Sequence, residues 1–146
     1  MKHRQRPHGI GLLLGLCLPL LAAAGGNSPR VNYMLHCMGC HLDDGRGHPG
    51  TVPDLRGTVG KFLHSERGRE YVIRVPGVAQ SALPDDELAA VVNWMLDAFS
   101  AAELPADFRP YTAAEVGRLR ADKLTEVTRT REALLRAWDQ AQAKAR

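Results

Sequence analysis

The stretch Cys37-Met38-Gly39-Cys40-His41, CMGCH, sets two thiols three positions apart and an imidazole directly after the second. Residues i and i+3 share a face of a helical turn, so both sulfurs project to one side, with His41 at a fixed offset from them. Three ordinary chemistries of paired cysteines use only part of this pattern. A disulfide, natural in an oxidising compartment, leaves His41 without a role. A thioredoxin-like dithiol needs a βαβ setting, and the chain shows neither a β-branched strand before Cys37 nor a crossover after it. Structural zinc needs four protein ligands, but His36 adjoins Cys37 while His48 and His64 stand isolated.

One reading uses every residue of the motif. Each thiol adds to one vinyl group of a single porphyrin, and His41 faces the iron as an axial ligand, which makes Cys37, Cys40 and His41 the attachment site of one covalent haem c. The N-terminus agrees with the compartment such chemistry requires. Lys2, Arg4 and Arg6 form a basic start, Ile10 to Leu21 an apolar run broken by Gly11, Gly15 and Pro19, and Ala22-Ala23-Ala24 a small-residue cleavage site, so residues 1–24 read as a cleaved secretory signal. The apolar segment from Ile10 to Ala24 is 15 residues long. A spanning helix needs roughly 20, so no stable membrane span is expected after cleavage. Cys17 follows the bulky Leu16 and is a passenger in that signal. Its removal leaves 16 basic against 16 acidic residues, and the basic character of the whole chain belongs to the targeting peptide. A neutral mature chain without interleaved aromatic and basic residues gives no footprint for nucleic acid. The expected location is periplasmic or otherwise exported.

Further features flank the motif. Tyr33 stands four residues before Cys37, the Gly-rich stretch LDDGRGHPG follows His41, and Pro53 opens a Pro-x-Leu-x-Gly segment within VPDLRGTVGKF. In LPDDELAAVVNWMLDAF, Leu88, Val91, Val92, Met95, Leu96 and Phe99 recur at helical spacing, with Asp85 to Glu87 at the favourable N-terminal end. With these features, from Tyr33 to Phe99, the chain resembles the class I cytochromes c. The resemblance implies an all-α fold around one covalent haem over residues 25–100. It also implies that the Pro53 carbonyl accepts a hydrogen bond from His41, making the imidazole more basic and lowering the reduction potential. Trp94 is expected to pack on Tyr33 where the first and last core helices cross.

The family pattern fails at the sixth iron ligand. Val75-Pro76 stands where the family carries Met-Pro, and no methionine lies between Met38 and Met95. His64, in KFLHSERG, is the candidate distal ligand. The other options are water, Gln80, a backbone group or an open position, and lastly Met95, whose place beside Trp94 suits core packing. Arg56, Lys61, Arg67 and Arg69 are either propionate partners or solvated charges, and His36 and His48 are expected at the surface.

After Phe99, SAAELPADFRPY with Pro105 and Pro110 reads as a linker. Thr112 and Glu115 form a capping box for a helix with Val116 and Leu119 on one side. From Glu126 to Lys144 a second amphipathic stretch carries Val127, Leu134, Leu135, Trp138 and Ala141. Residues 101–146 are therefore a linker and helical extension, folded back on the core or serving as a docking arm. The expected function is single-electron transfer between a donor dehydrogenase and an acceptor oxidase or cytochrome, with no catalytic residues. The alternative is a haem enzyme or a gas- or peroxide-binding protein with an open distal site. A docking subunit whose tail is the working part is the third reading.

Overall fold

Ser28 starts the first helix: its hydroxyl accepts from the Val31 N–H at 3.4 Å, and Pro29 takes the first helical position, where a missing N–H costs nothing. This helix, α1 (Pro29–His36), runs into the single turn α2 (Met38–His41), which ends at Leu42 in the left-handed region with φ of 59°. A turn-rich segment leads to a 3-10 helix (Val59–His64), then α3 (Glu66–Arg74), the short α4 (Pro76–Ala79) and α5 (Asp85–Ser100). A 3-10 turn (Ala101–Glu103) precedes α6 (Ala113–Arg120) and α7 (Val127–Ala145). The computed structural model describes residues 26–145, so the expected signal segment, with Cys17, lies outside the described residues. Among the described residues the only β pairing is an isolated bridge between His48 and Val52, and the chain is all-α as expected.

The apolar face of α5 forms the centre of the core. Leu88, Val91, Val92, Met95 and Leu96 are all buried. Where α1 crosses α5, Tyr33 lies 5.3 Å from Trp94 and 5.2 Å from Phe99 between ring centroids, and Trp94 meets Phe99 edge-on at 5.6 Å. These tilted arrangements suit the ring quadrupoles, and the crossing is the one expected from the sequence.

The C-terminal extension is packed on this core. Tyr111 is buried, and Asn93 of α5 brackets its backbone, accepting from the Tyr111 N–H at 2.8 Å and donating to its carbonyl at 3.0 Å. Thr112 caps α6 as expected, accepting from the Glu115 N–H at 3.2 Å. The Glu115 carboxylate does not close the box. It is taken by Arg69 of α3, with Nε–Oε1 at 2.6 Å and Nη2–Oε2 at 2.7 Å. Arg69 also donates to the Arg109 carbonyl at 2.7 Å and lies 4.1 Å over the Tyr111 ring. Arg69 is thus neither a solvated charge nor free for a propionate, because its guanidinium is buried and makes four hydrogen bonds to Glu115 and the 109–110 backbone. Arg120 ties the turn between α4 and α5, donating to the Leu83 carbonyl at 2.9 Å, to the Ser81 carbonyl and to Asp85 at 3.1 Å.

Candidate functional site

Helical bonding closes the motif: the N–H groups of Cys40 and His41 both donate to the Cys37 carbonyl, at 3.2 and 3.0 Å. The turn is pinned from α1 by the Tyr33 hydroxyl, which donates to the Leu42 carbonyl at 2.7 Å. Cys37, Cys40 and His41 consequently border one mainly apolar cavity of about 280 Å³. The Pro53–Leu55 segment, the 3-10 helix, α3, the Val75–Val78 turn, α5 and α7 supply the remaining lining.

The Gly-rich turn brings Pro53 to this cavity. Gly47 donates to the His41 carbonyl at 3.2 Å and has φ of +67°. A side-chain carbon there would come within 2.7 Å of the Pro53 carbonyl oxygen, so only glycine allows the approach. His41 is half-buried, and desolvation, the larger effect, lowers its pKa while a backbone bond from Pro53 raises it. Proline has no N–H, so its carbonyl acts on the ring as an acceptor. Nδ1 of His41 is buried without a partner of normal hydrogen-bond geometry, and the Pro53 carbonyl is the acceptor that acts on the ring.

The competing chemistries fit this geometry poorly. Burial, followed by the neighbouring Cys40, pushes the Cys37 thiol up to about 11, opposite to the lowered pKa of a redox nucleophile. Among the described residues no three His, Cys, Asp or Glu side chains converge as a metal site. Two free thiols and an imidazole at the rim of an apolar cavity do fit a covalent haem.

The chain is 38% identical over 132 residues to a cytochrome c-552 of Thermus thermophilus, in an alignment covering 78% of this chain and 88% of the relative. A second cytochrome c-552 of the same species is 41% identical over 107 residues, covering 61% of this chain and 82% of the relative. No family model matches the chain. The chain belongs to the monohaem c-type cytochromes. Its cofactor is covalent haem c.

The cytochrome's fold separates the remaining candidate residues. His64 is not brought to the cavity. It ends the 3-10 helix at the surface, its Nε2 2.9 Å from the Glu103 carbonyl and its ring 4.4 Å from that of Trp138. Those contacts hold the imidazole against the C-terminal extension, beside a separate polar cleft that also includes Arg69. Gln80 is exposed and does not border the cavity, whereas Met95 does so from within the core. Arg56 is held by Asp54 at 2.7 Å and Asp44 at 3.5 Å, Arg67 is exposed, and neither they nor Lys61 border the cavity. His36 and His48 are exposed, as expected.

Tyr71, Val127 and Arg131 also border the cavity, and nothing in the sequence ties them to the motif. Tyr71 is the single aromatic of α3, far from the motif in sequence, and Arg131 reads as one of many charges on an amphipathic helix. Only the packing of α7 against α3 and the 3-10 helix brings them together.

Proposed function

We propose that this cytochrome is an exported single-electron carrier between a periplasmic dehydrogenase and an acceptor oxidase or cytochrome. Cys37 and Cys40 would carry the two thioethers, His41 would hold the iron through Nε2, and the Pro53 carbonyl would accept a hydrogen bond from Nδ1–H. The haem supplies one-electron cycling between ferrous and ferric iron. The chain's residues hold it, orient it and exclude water from it.

The observation that carries this reading is the placement of the motif at the cavity rim, with Cys37 half-buried and Cys40 exposed. A group attached there would lie among apolar side chains with its thioether side toward the surface, which would suit exchange of an electron without opening the protein. Just before the motif, Met34 and Leu35 are exposed at 48% and 65%, an apolar element for brief docking of a redox partner. Export is supported by the signal-like residues 1–24, and no described helix is long and apolar enough to cross a membrane.

A potentiometric titration of the holoprotein, followed in the visible haem bands, is expected to give one reversible transition with one-electron slope. An irreversible response, or bands that do not change, would contradict the carrier. A second reading, small-molecule binding at an open sixth position, is favoured by one observation. Among the described cavity residues, Met95 and His36 are the only methionine or histidine side chains besides His41, and His36 is one residue from a thioether.

A further inference from the structure

All three tyrosines of the chain are buried. Two have their hydroxyls bonded within the protein: Tyr33 donates to the Leu42 carbonyl and Tyr111 to the Arg69 carbonyl, each at 2.7 Å. The third, Tyr71, has no such partner among the described residues, and it borders the haem cavity. Its hydroxyl oxygen is accessible rather than sealed in the core, which leaves it free to donate to a group that the cavity receives. Its ring is held in place by Phe62, with centroids 4.9 Å apart and planes at 54°. Arg131 from α7 borders the same cavity and is the one Lys or Arg among the described lining residues.

We propose that the Tyr71 hydroxyl donates a hydrogen bond to a small anion bound at the sixth position of the iron, with the Arg131 guanidinium adding favourable charge. The inference rests on the reading of an open sixth position. Desolvation raises the Tyr71 pKa and outweighs the opposing effect of Arg131, which favours the protonated phenol that can donate. Met95 lies on α5 directly after Trp94, which packs against Tyr33 of the helix leading into the motif, and it serves as part of the apolar wall.

Sodium azide titrated into the ferric holoprotein, read in the visible spectrum, tests this. Azide is expected to bind saturably, and Tyr71→Phe, which keeps the ring against Phe62, is expected to weaken it about tenfold, the effect of one lost hydrogen bond to a charged acceptor. Arg131→Gln is expected to weaken azide while leaving neutral carbon monoxide affinity of the ferrous form unchanged. The carbon monoxide stretching frequency supplies a readout that a merely structural role would not move: it is expected to rise in Tyr71→Phe as the donor is lost. Azide binding with affinity and stretching frequency both unchanged in Tyr71→Phe would overturn the donor assignment and keep the open position. A ferric protein that ignores azide and shows the near-infrared sulfur-to-iron band would give the position to Met95, overturning both and leaving the electron carrier intact.

Discussion

Cys37→Ala/Cys40→Ala is expected to abolish covalent haem completely, leaving no haem stain on the denatured chain. Neither thioether can form, and His41 alone holds the iron only by a dissociable bond. The effect extends to the fold. The haem fills a cavity of about 280 Å³ bordered by the 3-10 helix, α3, α5 and α7. Without it the apolar side chains that line the cavity are left open to water, so the double variant is expected to be less stable and to lose part of its far-UV helical signal. Cys17→Ala, inside the segment expected to be cleaved, serves as the control and leaves the mature product unchanged. Covalent pigment on the double variant would remove these thiols from the site.

Arg69→Ala is expected to destabilise the holoprotein by about 3 kcal/mol, because it strips partners from groups that α3 and α6 bury together. The Arg69 and Glu115 side chains are only 9% and 20% exposed, so solvent screens the pair weakly. The substitution leaves the Glu115 carboxylate and the Arg109 carbonyl without their donor and removes the cation from the Tyr111 ring. A loss of that size lowers the melting temperature by on the order of 10 °C. A pH dependence accompanies it. Hydrogen bonds from Arg69, the largest cause, hold the Glu115 carboxyl below its ordinary value. The pair's contribution is therefore fully present above the unfolded-state pKa of about 4.3 and is lost as pH falls through the lower folded value. Acidification from neutrality to about pH 3 is expected to cost the natural chain more than Arg69→Ala, in which Glu115 titrates near its ordinary range. Denaturant midpoints of both proteins at the two pH values check this, and equal acid losses would contradict it. The same anchor holds the segment leading to α7, so loosening it is also expected to expose the haem cavity.

What the sequence made legible was local. The apolar spacing along α5, the Tyr33–Trp94 crossing and the Thr112 cap each depend on residues within one helix or on two helices whose contact the period dictates. The turn that brings Cys37, Cys40 and His41 to one cavity is likewise set by a spacing of three. What stayed hidden depends on where the extension lands. His64 is drawn to Glu103 and Trp138, and nothing in KFLHSERG announces those partners. Glu115 fits a capping box by spacing, yet a guanidinium 46 positions away binds it with two good hydrogen bonds. Arg131 gains its meaning only when α7 reaches the cavity, far along the chain from the motif.

The central claim is that this chain carries one haem through two thioethers. Its most direct test is the intact mass of protein exported from cells with haem-attachment machinery, taken after acid–acetone extraction. The account predicts a red protein whose mass equals the chain from about Gly25 plus one haem. A colourless protein at the mass of the bare chain, with the pigment in the organic phase, would contradict it.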